Sequence, residues 1–317
     1  MKVAFLDVDT IDLDGDMDFS RLEALGEYVP WPLTAPEEVV EHAADAEVVI
    51  TNKVRLRRPE IEGLPKLRHI AVIAAGYDVI DTEAAAERGI RVTNVGGYGK
   101  YTVPQHAFAL ILALASRVAD YAADVAAGDW QKSSSFTLLR YPTFELAGKT
   151  LGIIGFGAIG RGSAEIARGF RMRVRAHDVF PFEYPPCENE PLETILRESD
   201  VVTIHAPLTP ETRNLIGRRE LAMMKRGALL VNTARGGIVD EEALLESLES
   251  GHLGGAGLDV LETEPPRENR LIGRRDLNLI ITPHSAWSAR EARQRLIDGV
   301  VDNILAWKEG RNRNVVA

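Results

Sequence analysis

Thr150 to Arg161, with the sequence TLGIIGFGAIGR, is the stretch that decides the fold. An apolar run leads into the glycine pattern Gly155-Phe156-Gly157-Ala158-Ile159-Gly160, and a helix-prone segment follows. This order predicts a strand, a tight turn and a helix. The first glycine permits the turn, the second lets backbone N–H groups approach a pyrophosphate, and the third lets the helix pack against the strand. The positive end of the helix dipole then faces the phosphates.

An acidic residue follows this stretch at a spacing that supports dinucleotide binding. A second predicted strand, Met172–His177, leads into Asp178, which lies 18 residues past Gly160 (178 − 160). Acids that bind the adenosine ribose stand roughly 20 residues beyond the glycines. A methyltransferase or a structural turn also uses glycine loops, but the strand, helix and acid together favour a dinucleotide. Because no arginine follows in Val179–Phe182, we expect NAD rather than NADP.

Length and charge restrict the class of protein. A chain of 317 residues exceeds the usual size of a single core and predicts two domains. The net charge of −10 argues against a nucleic-acid surface and favours a small soluble molecule as partner. Cys187 is the only cysteine, so we expect neither a disulfide nor a metal site. The longest apolar run, Ala107–Ala115, is too short to cross a bilayer, and without an export signal a cytoplasmic protein is expected.

The remaining elements alternate between strands and helices. In the first hundred residues this alternation predicts a separate parallel-sheet domain. A turn at Ala74–Asp78 follows one of its strands, where small residues leave N–H groups accessible to an anion, although an ordinary glycine turn has the same sequence. Five or six further strands surround the glycine pattern, so the second domain is predicted to be doubly wound.

Two other segments invite functional interpretations. The first strand is predicted at Lys2–Val8, and an acid-rich loop follows it. This loop suggests a calcium site, but alignment on Gly15 puts Thr10 at the first ligand position and Arg21 where a glutamate is needed, so a solvated loop is preferred. A long helix is predicted from Thr102, as its N-cap, to about Ala127. Because its middle is apolar on every face, we expect burial between domains or against a second subunit, and hence a homodimer.

Three segments after strands of the second domain carry reactive side chains: Arg235 in NTARGG, Glu264 in LDVLETEPP and His284 in TPHSAW. Because the carboxyl ends of parallel strands meet at one edge, these side chains are expected to converge. Arginine suits a 2-keto or 2-hydroxy carboxylate through its planar fork of donors. Histidine exchanges a proton near neutral pH, and a neighbouring carboxylate would hold it.

At these motifs the chain resembles the NAD-dependent D-isomer-specific 2-hydroxyacid dehydrogenases. The resemblance rests on VNTARGGIVDEEAL, GAGLDVLETEPP and TPHSAW and extends over nearly the whole length. Within that family TNKV at Thr51–Val54, ELAGKTLGIIGFGAIG and Trp287 are most similar to glycerate dehydrogenases that act as hydroxypyruvate or glyoxylate reductases. Pro104 and the segment Gly97–Gly99 depart from the forms expected there.

The resemblance implies an α/β fold of two doubly wound, Rossmann-like domains with the active site in the cleft between them. Residues 1–101 plus 285–317 would form the substrate domain and 102–284 the NAD-binding domain. Arg235 would anchor the substrate, His284 would be the acid/base and Glu264 its partner. Lys53, Ala75 and Gly76 would also bind substrate. The implied cofactor-binding residues are Thr102, Gly155, Gly157, Ala158, Ile159, Gly160, Asp178, His205, Ala206, Pro207, Thr212, Thr233, Ala234, Arg235, Asp259, His284 and Trp287.

The predicted reaction is reversible hydride transfer between NAD(H) and a small D-2-hydroxy acid/2-keto acid pair. Two alternatives stay open: a D-lactate or phosphoglycerate dehydrogenase, and a non-catalytic NAD-sensing interaction protein on the same fold.

Overall fold

The computed structural model describes residues 1–185 and 187–317 and divides into two compact units. The first unit contains Met1–Gly99 together with Trp287–Ala317, and the second contains Lys100–Ala286. The sequence-based boundaries lie close to these points, but the assignment of the substrate to the first unit stays a prediction.

Each unit is built on one parallel sheet, because its strands are apolar on both faces and have to be covered by helices on both sides. The strands of the first unit are β1 (Lys2–Phe5), β2 (Glu27–Pro30), β3 (Val48–Thr51), β4 (His69–Val72) and β5 (Arg91–Thr93). Those of the second are β6 (Thr150–Ile154), β7 (Arg173–His177), β8 (Val201–Ile204), β9 (Leu229–Asn232), β10 (Gly255–Leu258) and β11 (Leu279–Ile281). Their spatial orders are β2-β1-β3-β4-β5 and β11-β10-β9-β8-β6-β7.

Helices connect most of the strands, and two aspartates cap their helices. The Asp81 carboxylate accepts the Ala84 N–H at 2.9 Å, and Asp240 accepts the Ala243 N–H at 3.0 Å. The helices are α1 (Ser20–Glu23), α2 (Val39–His42), α3 (Arg58–Glu62), α4 (Thr82–Glu87), α5 (Thr102–Ser116), α6 (Val118–Ala126), α7 (Ala158–Gly169), α8 (Leu192–Glu198), α9 (Arg218–Met223), α10 (Glu241–Glu249) and α11 (Arg290–Lys308).

The strand order reverses once in each sheet, which marks where a ligand is expected. In the first sheet the reversal lies between β1 and β3, and in the second between β6 and β8. Open α/β sheets bind ligands outside the carboxyl ends of the strands at such a switch point. The predicted doubly wound fold is therefore confirmed for both units.

Apolar side chains cover both faces of each sheet. In the first unit α2, α3 and α4 pack on one face, and α11 packs on the other through Leu296, Val300 and Ile304. In the second unit α5 and α7 cover one face, while α8, α9 and α10 cover the other. No helix in residues 1–185 and 187–317 is long and apolar enough to cross a membrane.

The predicted helix from Thr102 to Ala127 is wrong, because the chain breaks at Arg117. Arg117 has a left-handed backbone (φ +55°), and its guanidinium bonds to Asp120 at 2.6 Å and lies over the Tyr141 ring. Thr102 lies inside α5, after the N-cap Tyr101. The apolar middle of α5 is buried within the second unit against α7, β9 and β10, so a second subunit is not needed to cover it.

The start of the chain also differs from the prediction. The first strand ends at Phe5 instead of Val8, and the strand β2 was not predicted. In the acid-rich loop, the Asp12 carboxylate accepts the N–H groups of Gly15 and Met17, at 3.1 and 3.0 Å. Asp16 binds Arg293 of α11 through two hydrogen bonds, of 2.7 and 2.6 Å. The chain's own donors therefore hold these two carboxylates.

Candidate active site

The glycine loop leaves open space at the switch point of the second sheet. Gly155 has a φ of +90°, and a Cβ on it would lie 2.6 Å from the Ala206 backbone nitrogen. A Cβ on Gly160 would lie 2.3 Å from the Gly155 carbonyl oxygen. Both positions therefore need glycine for close packing. A Cβ on Gly157 would have no atom within 4 Å, so this side of the loop has room for a ligand.

Donors and unpaired polar atoms around this space fit a dinucleotide. Helix α7 begins after Gly157 with no side chain capping its N-terminus, which leaves N–H groups available for an anion. In the described part of the chain, the buried Thr233 Oγ1 and His205 Nδ1 have no hydrogen-bond partner. Ala158, Ile159 and Gly160 form the first turn of α7. A pyrophosphate therefore fits at this helix end.

His205 is a neutral residue of this site. Burial lowers the pKa of His205 to about 3. Its Nε2 lies 2.9 Å from Ser163 Oγ and 3.2 Å from Thr203 Oγ1. The imidazole therefore stays uncharged at neutral pH and orders the end of β8 beside Gly155. Ser163 was not identified from the sequence.

Asp178 is held at the end of β7 by the groups around it. Its Oδ2 accepts the Phe156 N–H at 2.6 Å and its Oδ1 accepts the Phe180 N–H at 2.9 Å. The Asn189 amide accepts the Asp178 N–H at 2.9 Å and donates to the Asp178 carbonyl at 2.8 Å. A carboxylate oxygen accepts more than one hydrogen bond, so this arrangement still allows contact with ribose hydroxyls. Sequence reasoning missed Asn189, which carries no motif.

Glu264 and His284 form a hydrogen-bonded pair beyond β10 and β11. The His284 Nδ1 lies 2.7 Å from Glu264 Oε2, and Glu264 Oε1 accepts the Leu261 N–H at 2.9 Å. Both side chains are about one-third exposed, at 32% and 35%. The carboxylate acceptor places the proton of a neutral imidazole on Nδ1, so Nε2 is the atom suited to proton exchange.

The Asp259 carboxylate organises the loop that carries His284. Asp259 is 1% exposed and accepts the N–H groups of Ser285 and Ala286 at 2.9 and 2.8 Å, and the Thr282 hydroxyl at 2.6 Å. His284 has a left-handed backbone (φ +51°), and its N–H donates to the Asp259 carbonyl at 2.8 Å. A non-glycine residue in this conformation persists only where its surroundings hold it. Asp259 therefore orients the loop as well as being a predicted cofactor-binding residue.

Arg235 lies on a loop that contacts the segment leading to Glu264. Asn232 at the end of β9 donates through Nδ2 to the Arg235 carbonyl at 2.8 Å and accepts the Ala234 N–H at 3.0 Å. A Cβ on Gly236 would lie 1.8 Å from the Leu261 carbonyl oxygen, so the two loops pack backbone to backbone. The Arg235 guanidinium donates to the Ala234 carbonyl at 2.8 Å.

The other predicted cofactor-side residues of this unit lie in two places. Thr212 donates to the Pro207 carbonyl at 2.7 Å, which closes the loop after β8. The Thr102 hydroxyl donates to the Ala286 carbonyl at 3.1 Å and so joins the start of α5 to the loop after β11. On α5, His106 Nε2 also reaches this loop, 3.0 Å from Thr282 Oγ1. Sequence reasoning missed His106, because it reaches the loop only through tertiary packing.

The remaining predicted site residues belong to the first unit. Ala75 and Gly76 follow β4, and in the described residues their N–H groups donate to no protein acceptor. The Ala75 carbonyl accepts the Asn94 Nδ2 at 2.6 Å, which steadies this turn. Lys53 follows β3, and its Nζ lies 5.7 Å from the centre of the Trp287 ring.

Comparison with known proteins identifies the family. A family model described as "D-isomer specific 2-hydroxyacid dehydrogenase, NAD binding domain" matches residues 108–286. The chain is 46% identical to a glycerate dehydrogenase of Methylorubrum extorquens over 99% of this chain and 98% of that protein. It is 39% identical to a hydroxypyruvate reductase of Blautia hydrogenotrophica over 100% and 99% of the two chains.

A solved structure agrees with these relatives over the full length. The crystal structure of the TT0316 protein from Thermus thermophilus matches with a TM-score of 0.88 and 39% identity, covering 100% of both chains. The predicted fold of two Rossmann-like units, the NAD cofactor and the oxidoreductase class are thereby confirmed. This chain belongs to the D-isomer-specific 2-hydroxyacid dehydrogenase family.

Proposed function

We propose that this dehydrogenase interconverts D-glycerate and hydroxypyruvate, with glycolate and glyoxylate as the closest second pair. The 46% identity to a glycerate dehydrogenase over nearly the full length supports this substrate class. The observation that carries the chemistry is the 2.7 Å contact between His284 Nδ1 and Glu264 Oε2, on loops at the same edge of the sheet as Arg235.

His284 acts as the acid and base of the proposed reaction. When the keto acid is reduced, protonated His284 donates a proton to the C2 oxygen, and in the reverse direction neutral His284 removes it. Glu264 orients the ring and stabilises its charged form during transfer. Arg235 binds the substrate carboxylate and polarises the C2 carbonyl through its fork of N–H donors.

The cofactor is NAD(H), which supplies or accepts the hydride at C2. The proposed cofactor contacts come from this chain's second unit: N–H groups at the start of α7 for the pyrophosphate, Asp178 for the ribose, and Asp259 for an amide group at the reactive end. In the first unit, the N–H groups of Ala75 and Gly76 and the Lys53 ammonium are proposed to bind the substrate carboxylate. Trp287 lies beside Lys53 in that unit.

A panel of substrates tests the proposal. NADH oxidation is followed with hydroxypyruvate, glyoxylate, pyruvate and phosphohydroxypyruvate side by side, using His284→Asn as the inactive control. We expect the highest kcat/KM with hydroxypyruvate or glyoxylate. Preference for pyruvate or phosphohydroxypyruvate would indicate a D-lactate or phosphoglycerate dehydrogenase instead. Binding of NADH without reduction of any of the four would favour the sensing protein.

We also propose that the protein is a homodimer whose contact surface is the segment 112–139. This segment exposes large apolar side chains, and two of them, Phe136 and Leu139, are each 91% exposed. The others are Leu112, Val118, Val125 and Trp130. Exposed apolar patches of this kind commonly mark subunit contacts. A cavity of about 920 Å³ lies beside α6, and its lining includes Tyr141 and Leu271 together with the proposed catalytic pair Glu264 and His284. A partner subunit docked on this segment would therefore lie next to these two residues.

Light scattering at low micromolar concentration tests the dimer. We expect twice the chain mass for the wild type and a monomer for the double variant Phe136→Ser, Leu139→Ser. The control is Phe180→Ser, because the Phe180 side chain is 74% exposed elsewhere in the same unit. This variant should have the same mass as the wild type. A fully active wild-type monomer would contradict the proposal. We further propose a cytoplasmic location, because NAD(H) is available there, and cell fractionation would test it.

A further inference from the structure

A buried carboxylate lies at the switch point of the first sheet and has no role in the proposed reaction. Asp7 follows the end of β1 and is 0% exposed. It faces the loop after β3, so it occupies the position between β1 and β3 where an open sheet of this order binds its ligand. Sequence reasoning missed Asp7, because it was assigned to the interior of the first strand.

Three consecutive backbone N–H groups converge on this carboxylate. The Asn52 N–H lies 2.9 and 3.1 Å from the two oxygens, the Lys53 N–H 2.6 Å from Oδ2, and the Val54 N–H 3.0 Å from Oδ2. The Thr51 hydroxyl is 3.4 Å from the same oxygen. Successive N–H groups that point at one anion form a nest, and here the anion is part of the chain.

Burial of the Asp7 carboxylate costs free energy that hydrogen bonding of the turn alone does not require. Burial raises the pKa of Asp7, while the N–H donors from Lys53, Asn52 and Val54 act in the opposite direction. A buried carboxylate costs desolvation free energy that an exposed aspartate, serine or asparagine in a turn avoids. The Asp7 arrangement therefore suggests a requirement for a rigid backbone at residues 52–54.

Lys53 is the residue whose direction this backbone determines. Its side chain is exposed, whereas the flanking Asn52 and Val54 are buried, so a rotation of the loop would turn Lys53 away from its present position. The Lys53 ammonium now lies 5.7 Å from the Trp287 ring centre. The Lys53 N–H makes the shortest of the hydrogen bonds to Asp7. Loss of this bond would therefore move the Lys53 backbone, from which the side chain projects.

We infer that Asp7 is a positioning residue that fixes Lys53 for substrate binding, and so sets the KM for the keto acid without taking part in proton or hydride transfer. This inference rests on the proposed role of Lys53. Loss of the Asp7 charge leaves Lys53 present but misdirected, so substrate affinity falls while NADH binding and the chemical step are retained.

A double-mutant cycle with Asp7→Asn and Lys53→Met tests this positioning role. Asparagine keeps the size of the side chain but presents an NH₂ group to donors. We expect Asp7→Asn to raise the KM for hydroxypyruvate roughly tenfold, with kcat and the Kd for NADH within about twofold of wild type. In the Lys53→Met background the same change should have no further effect on KM. A purely structural role would instead lower kcat and the folded fraction in both backgrounds.

Thr10→Val is the matched control, because Thr10 Oγ1 joins the same two loops by donating to the Asp7 carbonyl at 2.7 Å and accepting Asn52 Nδ2 at 3.0 Å. It does not contact the Lys53 backbone, so its KM should match that of wild type. An equal rise in KM for Thr10→Val, or equal effects of Asp7→Asn with and without Lys53, would overturn the inference.

The outcomes separate this inference from the proposed function. If Lys53→Met raises KM but Asp7→Asn does not, only the positioning role is wrong. If Lys53→Met leaves KM unchanged, the proposed substrate role of Lys53 is wrong as well. If Asp7→Asn does not fold, Asp7→Ser takes its place in the cycle. If neither variant folds, Asp7 is needed only for folding and the inference is wrong.

Discussion

The two switch points of this molecule have the same architecture but differ in whether the chain itself supplies an anion. In the second unit, N–H groups at the start of α7 face the open space beside Gly157. In the first unit, N–H groups of the loop after β3 converge on the buried Asp7 carboxylate. Both sets of donors lie at the carboxyl edge of a parallel sheet, where an anion is favoured.

The difference shows how one fold provides both a binding site and a rigid support. Where the chain supplies no anion of its own, the donors are available to a dinucleotide. Where an aspartate fills the nest, the donors are consumed and the loop becomes a fixed base for the side chain that projects from it. The first unit keeps its available donors elsewhere, at Ala75 and Gly76.

The largest effect is expected at the reactive edge of the second unit. His284→Asn should lower kcat by roughly 10²- to 10⁴-fold, the contribution of a positioned acid or base. Asparagine tolerates the left-handed backbone of this position, so the loop should keep its shape. Steady-state kinetics and NADH titration by fluorescence would measure the change, with NADH still bound. A variant with near wild-type kcat would remove His284 from the mechanism.

The difference between the two switch points can be tested by placing a carboxylate at the switch point of the second unit. Gly157→Asp gives the second unit its own anion, as Asp7 does in the first. Gly157 has a φ of −73° and is the N-cap of α7, so aspartate is tolerated there and should cap the helix. We expect the Kd for NADH to rise roughly a hundredfold, because juxtaposed like charges cost several kcal/mol.

Gly157→Ser is the control for this change, because serine caps the helix without adding a charge. It should raise the Kd for NADH much less than Gly157→Asp does. Calorimetric titration measures both variants, and thermal melts confirm that they fold. Unchanged NADH affinity in Gly157→Asp would mean that the pyrophosphate does not lie at this helix end.

A smaller effect is expected at the ribose end of the same site. Asp178→Ala should raise the Kd for NADH roughly tenfold, because it removes charged hydrogen-bond acceptors. It should also reduce the preference for NADH over NADPH. The ratio of kcat/KM for the two cofactors measures this. Asp178→Asn keeps an acceptor without the charge, so it should regain NADH affinity only in part. A wild type that already prefers NADPH would contradict the assignment of Asp178.

The smallest effect is expected at Asp16, a second carboxylate of the first unit that is bound by the chain's own donors. The Arg293 guanidinium lowers the pKa of Asp16 to about 2, from an ordinary value of 3.8. Stability from this pair is therefore present above about pH 4 and lost as the pH falls toward 2. Asp16→Asn should lower Tm at pH 7, with the difference from wild type shrinking through that window. Asp14→Asn, in the same loop, should match wild type, and a pH-independent difference for Asp16→Asn would contradict the ion pair.

The sequence alone determined the features that depend on local residue type. A turn that needs positive φ and close backbone approach requires glycine, so Gly155 and Gly160 predicted the loop. The spacing of Asp178 and the motifs around Glu264 and His284 predicted their place at strand ends, and the latter two are in contact. The catalytic and binding roles of these residues stay predictions until the variants are measured.

Only the tertiary structure decided which distant groups satisfy one another. At the helix break, the Arg117 guanidinium lies over the ring of Tyr141, which is distant in sequence. The bond from Asn52 to Asp7 spans 45 residues of chain, and nothing in either segment indicates the other. Local propensity fixes which conformations a segment can adopt, whereas the burial of a charge depends on which donors the fold brings to it. That is why the glycine loop was predictable and the filled nest at Asp7 was not.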